Sequence, residues 1–154
     1  MGALEKFSGW GLHFSKPSDE QVTLPRDITT VNSEELGELF TQLTAWADYI
    51  ASQLVMAQLE ERAALRAKES LENSMTFKRL GAQVKGERVT AIKAEIASHQ
   101  DIIDLENDYE EKYAYRKLLE MLMNNHERDL QLVSREITRR SNDSRATRKE
   151  YFSA

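Results

Sequence analysis

Residues 89–140 contain neither glycine nor proline over 52 positions, and the stretch is rich in Ala, Glu, Leu, Lys, Arg, Met and Gln. These are the strongest helix formers, so the segment predicts one very long helix. At about 1.5 Å per residue it would reach roughly 75 Å, far beyond the width of a compact small domain. Such a rod cannot bury its own apolar stripe and needs a partner along its length.

The nearest partner lies upstream. Asn32 can accept from freed backbone N–H groups, with Glu35 as the third residue of a capping box, so a helix should begin there. Leu36, Leu43, Ile50, Ala57, Ala64 and Leu71 recur every seven residues, and Leu39, Trp46 and Leu54 fill the companion track. This is a coiled-coil-like seam persisting to about Ser74. Gly81 and Gly86 then mark a turn region, with a short helical piece expected at 75–80. The second helix carries Ile92, Ile96, Ile103, Tyr109, Tyr113, Leu118, Leu122, Leu130, Val133 and Ile137, and its spacing drifts around 101–111, where a kink is expected.

The expected fold is therefore all-α: a long antiparallel helical hairpin of two long helices and a short helical link. Two helices make a thin core, which predicts self-association into an oligomer. The domain plan is an extended or disordered aromatic arm over 1–31, a hairpin domain over 32–141, and a basic flexible tail over 142–154. The arm holds Gly2, Gly9, Gly11, Pro17 and Pro25 and an aromatic run with Phe7, Trp10 and Phe14. It reads either as a peptide docking on a partner through those three residues or as a segment packing on its own helices.

Composition narrows the chemistry. The chain has 154 residues and no cysteine, which excludes disulfides, thiol catalysis, iron–sulfur clusters and cysteine–zinc sites. No apolar run approaches the roughly 20 residues of a membrane helix, and the N-terminus lacks the order of a secretory signal, so a cytoplasmic protein without a membrane partner is expected. His13, His99 and His126 share no metal spacing, and Glu95 with His99 reads as a surface pair. Asp101, Asp104, Asp108 and Glu111 form an acidic ridge best read as a solvated face. Neither a glycine-rich phosphate loop nor a nucleophile elbow is present, so no enzyme, cofactor or metal is expected.

The net charge of −5 conceals blocks. Residues 1–60 carry three basic and nine acidic side chains, 61–93 eight and four, 94–134 four and ten, and 135–154 six and three, giving nets of −6, +4, −6 and +3. A hairpin gathers the +4 block at its turn end. Arg62, Arg66, Lys68, Lys78, Arg79, Lys85, Arg88 and Lys93 are the candidate phosphate contacts there. Phe77 is the one aromatic near them in sequence, and Glu61 and Glu69 stand close enough to pair with the cations.

The order of landmarks resembles the UvsY-like recombination mediator family of T-even phages. Trp46 on the first helix is followed by Ala64-Leu65-Arg66-Ala67-Lys68, then a glycine-containing break, then a helix with Lys93, Ser98 and Asp101 ahead of Tyr113 and Tyr115. That helix closes with Leu118-Leu119 and Leu132-Val133-Ser134-Arg135. The resemblance spans about residues 40–140. It implies a helical ring that binds single-stranded DNA, remodels single-strand-binding protein and loads a RecA-like recombinase, with Arg66 and Lys68 in the DNA-contact role. The acidic balance and the aromatic arm depart from the family. The alternative class is a phage structural or scaffolding protein that assembles through its arm and helical rods.

Overall fold

A computed structural model describes residues 15–82 and 88–153. It is helical without strands among the described residues: a single 3-10 turn at Ile28–Thr30, then α1 (Ser33–Gly81), α2 (Val89–Ala97) and α3 (Gln100–Ser153). The two long helices, α1 and α3, pack against each other, and their contacts fall into two compact units. Among the described residues, one falls within 54–118, and the other comprises 15–53 and the part of α3 from 119 onward. Phe7, Trp10, Phe14 and Lys85 lie outside the described residues.

α1 starts where its cap dictates. Asn32 Oδ1 accepts from Glu35 N at 2.8 Å, and its carbonyl accepts from Leu36 N at 3.0 Å. The seven-residue track is inward: Leu36, Leu43, Ile50, Ala57 and Ala64 are buried, as is Trp46. The helix does not stop near Ser74. It runs through the expected separate piece at 75–80 to Gly81, because no residue before that glycine breaks the i to i−4 ladder.

The second predicted helix is two helices. Ser98 ends α2: its N–H reaches Ala94 O and Glu95 O, and its hydroxyl donates to Glu95 O at 2.7 Å. His99 opens α3, its Nδ1 accepting from Asp101 N at 3.3 Å and its carbonyl from Ile102 N at 3.0 Å. This break precedes the kink expected at 101–111, and it resets the helical phase. Ile96 and Ile102 are both buried although six residues separate them, which an unbroken helix would set about 120° apart. Two later positions move with it, whereas Leu130 and Val133 pack inward as expected. Ile103 is 39% exposed where Ile102 is buried, and Leu118 is 56% exposed where Leu119 is buried.

In the unit of residues 15–53 and 119 onward, Leu36, Leu43 and Val133 form the core, with Leu39 and Leu130 packed on it. Val22, Leu24 and Val31 cover the same core, so the described part of the arm, 15–31, is a strap on its own helices. Polar anchors hold it: Trp46 Nε1 donates to Ser18 Oγ at 3.3 Å, Gln21 Nε2 meets His126 Nε2 at 2.9 Å, and Arg140 Nη2 donates to the carbonyls of Ile28 and Thr29 at 3.2 Å each. The expected flexible tail continues as α3 to Ser153, in keeping with its lack of glycine and proline.

In the unit containing 54–118, Ile92, Ile96 and Ile102 form the core with Leu71 and Met75 against them. α1 and α3 run antiparallel here, since Glu61 pairs with Arg116 while Lys68, further along α1, pairs with Glu106, earlier on α3.

Candidate functional site

The basic block divides by helical phase. Residues two apart on a helix point about 200° from each other, so Arg66 and Lys68 cannot share a surface patch. Lys68 turns inward, its side chain only 18% exposed, and pairs with Glu106, with Glu72 at 3.9 Å. The hydrogen bond to Glu106 raises its pKa above the ordinary lysine value. Arg79 is likewise engaged, its Nε 3.2 Å from a Glu95 oxygen. A phosphate would have to compete with these pairs for either cation.

Arg62 and Arg66, one turn apart, stay exposed, Arg66 opposite the seam and Arg62 toward its flank, and Lys78, Arg88 and Lys93 are also exposed. Arg62 borders an open cleft of about 380 Å³ lined also by Gln58, Glu61, Leu65 and Arg116. At the cleft the Glu61 and Arg116 side chains, 16% and 14% exposed, form a partly buried ion pair. The Arg116 guanidinium carbon also lies 5.2 Å from the Tyr113 ring centroid, and Lys117 Nζ lies 5.8 Å from it. Tyr113, Arg116 and Lys117 are neighbours along α3, and what sequence spacing concealed is the pairing with Glu61 that brings Arg116 to the cleft beside Arg62.

Two buried polar groups were also missed. His126 is 2% exposed with Nδ1 lacking a partner, and Glu136 is 6% exposed. Arg139 and Arg140 hydrogen-bond the Glu136 carboxylate and pull its pKa down to about 2. Counting sevens from Leu105 reaches Lys112, Leu119, His126, Val133 and Arg140, so a signal existed for His126, carried on a track that mixes polar with apolar residues, whereas Glu136 lies off that track.

Large apolar side chains also stand exposed on the outer faces. On α1 in the unit containing 54–118, Val55 is 48%, Leu59 38% and Phe77 83% exposed; on α3, Ile103 and Leu118 are exposed with Ala114 between them. Among the described residues no His, Cys, Asp and Glu cluster is arranged to hold a metal, and no helix is long and apolar enough to cross a membrane. Comparison with protein-family profiles, characterised proteins and solved structures gave no match.

Proposed function

We propose that this protein is a self-associating helical scaffold without turnover chemistry, the protein–protein assembly role of a phage structural or scaffolding component in a cytoplasm. The observation that supports it most directly is the exposure of large apolar side chains on the outward faces of both helices in the unit containing 54–118. Leu59 and Leu118 are more exposed than the seam residues by a wide margin, although burying either elsewhere would be worth about 1.5–3 kcal/mol. A scaffold uses such faces as interfaces. Sedimentation velocity across a hundredfold concentration range tests the proposal: mass rising with concentration supports it, and a monomer at every concentration refutes it.

A second reading keeps the resemblance to the recombination mediators: an oligomer that binds single-stranded DNA and helps load a RecA-like recombinase in place of single-strand-binding protein. The exposure of Arg62, Arg66, Lys78, Arg88 and Lys93 supports it. Fluorescence anisotropy of a labelled oligonucleotide at low and moderate salt tests it, since phosphate contacts weaken steeply with salt. Binding lost on Arg62→Ala/Arg66→Ala supports this reading; no binding at low salt removes it.

A further inference from the structure

We infer that the unit containing 54–118 associates head to tail, the outer face of α1 in one copy packing on the outer face of α3 in a second copy; this rests on the scaffold function proposed above. Three features of the unit carry the inference.

The two faces are opposite in charge. Between the apolar residues Leu59 and Phe77, the α1 face presents Arg62 and Arg66 with Glu69, a net positive charge. Between Ile103 and Leu118, the α3 side presents Glu110 and Glu111 with Lys117, a net negative charge. Each face keeps an excess of one sign, so a symmetric contact of like with like would set two net positive or two net negative faces together. A contact between unlike faces neutralises both.

The faces also match in level. Glu61 and Arg116 pair across the inner seam, which places Leu59 of α1 and Leu118 of α3 at the same height on opposite sides of the unit. A second copy set alongside without axial displacement brings its Leu118 against Leu59 and its Glu110 and Glu111 within a turn of Arg66. The outer contact thus repeats the antiparallel register that the inner seam already uses. Ala114, exposed midway along the α3 face, lets the helices approach where Arg62 crosses.

The α1 face lies about 180° from its seam, since Leu59 and Arg66 alternate around α1 with Ala57, Ala64 and Leu71, and Ile103, Ala114 and Leu118 of α3 are exposed where Ile102 and Leu119 are buried. Both faces of one unit are therefore usable at once. A contact between unlike faces leaves one of each kind free, and addition continues until a ring closes or a filament extends.

The experiment uses two full-length variants, Arg62→Glu/Arg66→Glu and Glu110→Lys/Glu111→Lys, with helix content checked by circular dichroism. All substituted residues are exposed, so folding should survive. In sedimentation velocity each variant alone should associate at least tenfold more weakly than wild type, because its two faces now carry the same sign. An equimolar mixture should regain wild-type assembly, because each face then meets an opposite one on the other variant. Folded variants that assemble as well as wild type, or a mixture that stays dissociated, would overturn the inference and leave the scaffold function standing. A monomeric wild type would overturn the scaffold function itself. Oligonucleotide binding lost in the arginine variant while its assembly is unchanged would assign that face to nucleic acid and overturn the pairing.

Discussion

Arg116→Met leaves the Glu61 carboxylate at the seam without its counter-charge, and Glu61→Leu does the reverse. Both side chains are about one-sixth exposed, which places the pair between exposed ion pairs, worth up to about 1 kcal/mol, and buried ones, where removing one partner costs about 3–5 kcal/mol. Each single substitution should therefore cost about 2 kcal/mol. The double substitution should cost well under the sum, about 1 kcal/mol or less. Met can keep packing against Tyr113, and Leu extends an apolar track that already contains Ala57 and Ala64. The coupling is then about 3 kcal/mol or more. The assay is urea unfolding followed by circular dichroism at one fixed protein concentration, since association adds its own stabilisation. With a slope of about 1–3 kcal/mol per molar urea, each single variant moves the midpoint by about 1 M. Single effects that add to the double within about 0.5 kcal/mol would refute the contact, and with it the antiparallel register of that unit.

Four shorter tests address other parts of the fold. Leu119→Ser should destabilise by about 2–4 kcal/mol in urea unfolding, whereas Leu118→Ser should change stability by less than about 1 kcal/mol; equal effects would contradict the phase reset at Ser98 and His99. Glu136 has a pKa of about 2, below its ordinary value of 4.5, so its contribution is fully present above pH 4.5 and is lost as pH falls toward 2. Glu136→Gln should flatten that part of the stability–pH profile, and an unchanged profile would refute the assignment. His126→Leu removes a buried nitrogen without a partner together with the Nε2 contact to Gln21, so the two effects should offset to within about 1 kcal/mol, and a loss above about 3 kcal/mol would contradict that balance. Arg140→Ala removes the donor to two strap carbonyls, so trypsin should cut at exposed Arg26 several-fold faster, and an unchanged cutting rate would count against the clasp.

Much of α1 was legible because its signals agree. An Asn cap, a glycine stop and apolar sevens all specify one helix facing one way. The break between α2 and α3 was not legible, because Ser98 and His99 are tolerated within helices and act through side-chain hydrogen bonds that depend on geometry. Once that break was missed, the inward face of α3 was assigned one residue out of phase at Ile103 and Leu118. The candidate basic site suffered from a related limit. Arg66 and Lys68 look alike in sequence, yet one faces solvent and the other Glu106, and only the seam distinguishes them. Carboxylates at seam positions, Glu61 above all, look like surface charge until a cation is found across from them.

The Arg140 clasp joins residues more than one hundred positions apart, to carbonyls of the short 3-10 turn at Ile28–Thr30. Closing so long a loop before the helices pair would cost entropy with little enthalpy in return, so the strap should dock late in folding. By the same reasoning it should be the first element to open from the native state. Amide exchange should therefore be faster at Val22 and Leu24 than at Leu36 and Leu43, dividing into two stability classes a core that is continuous in space.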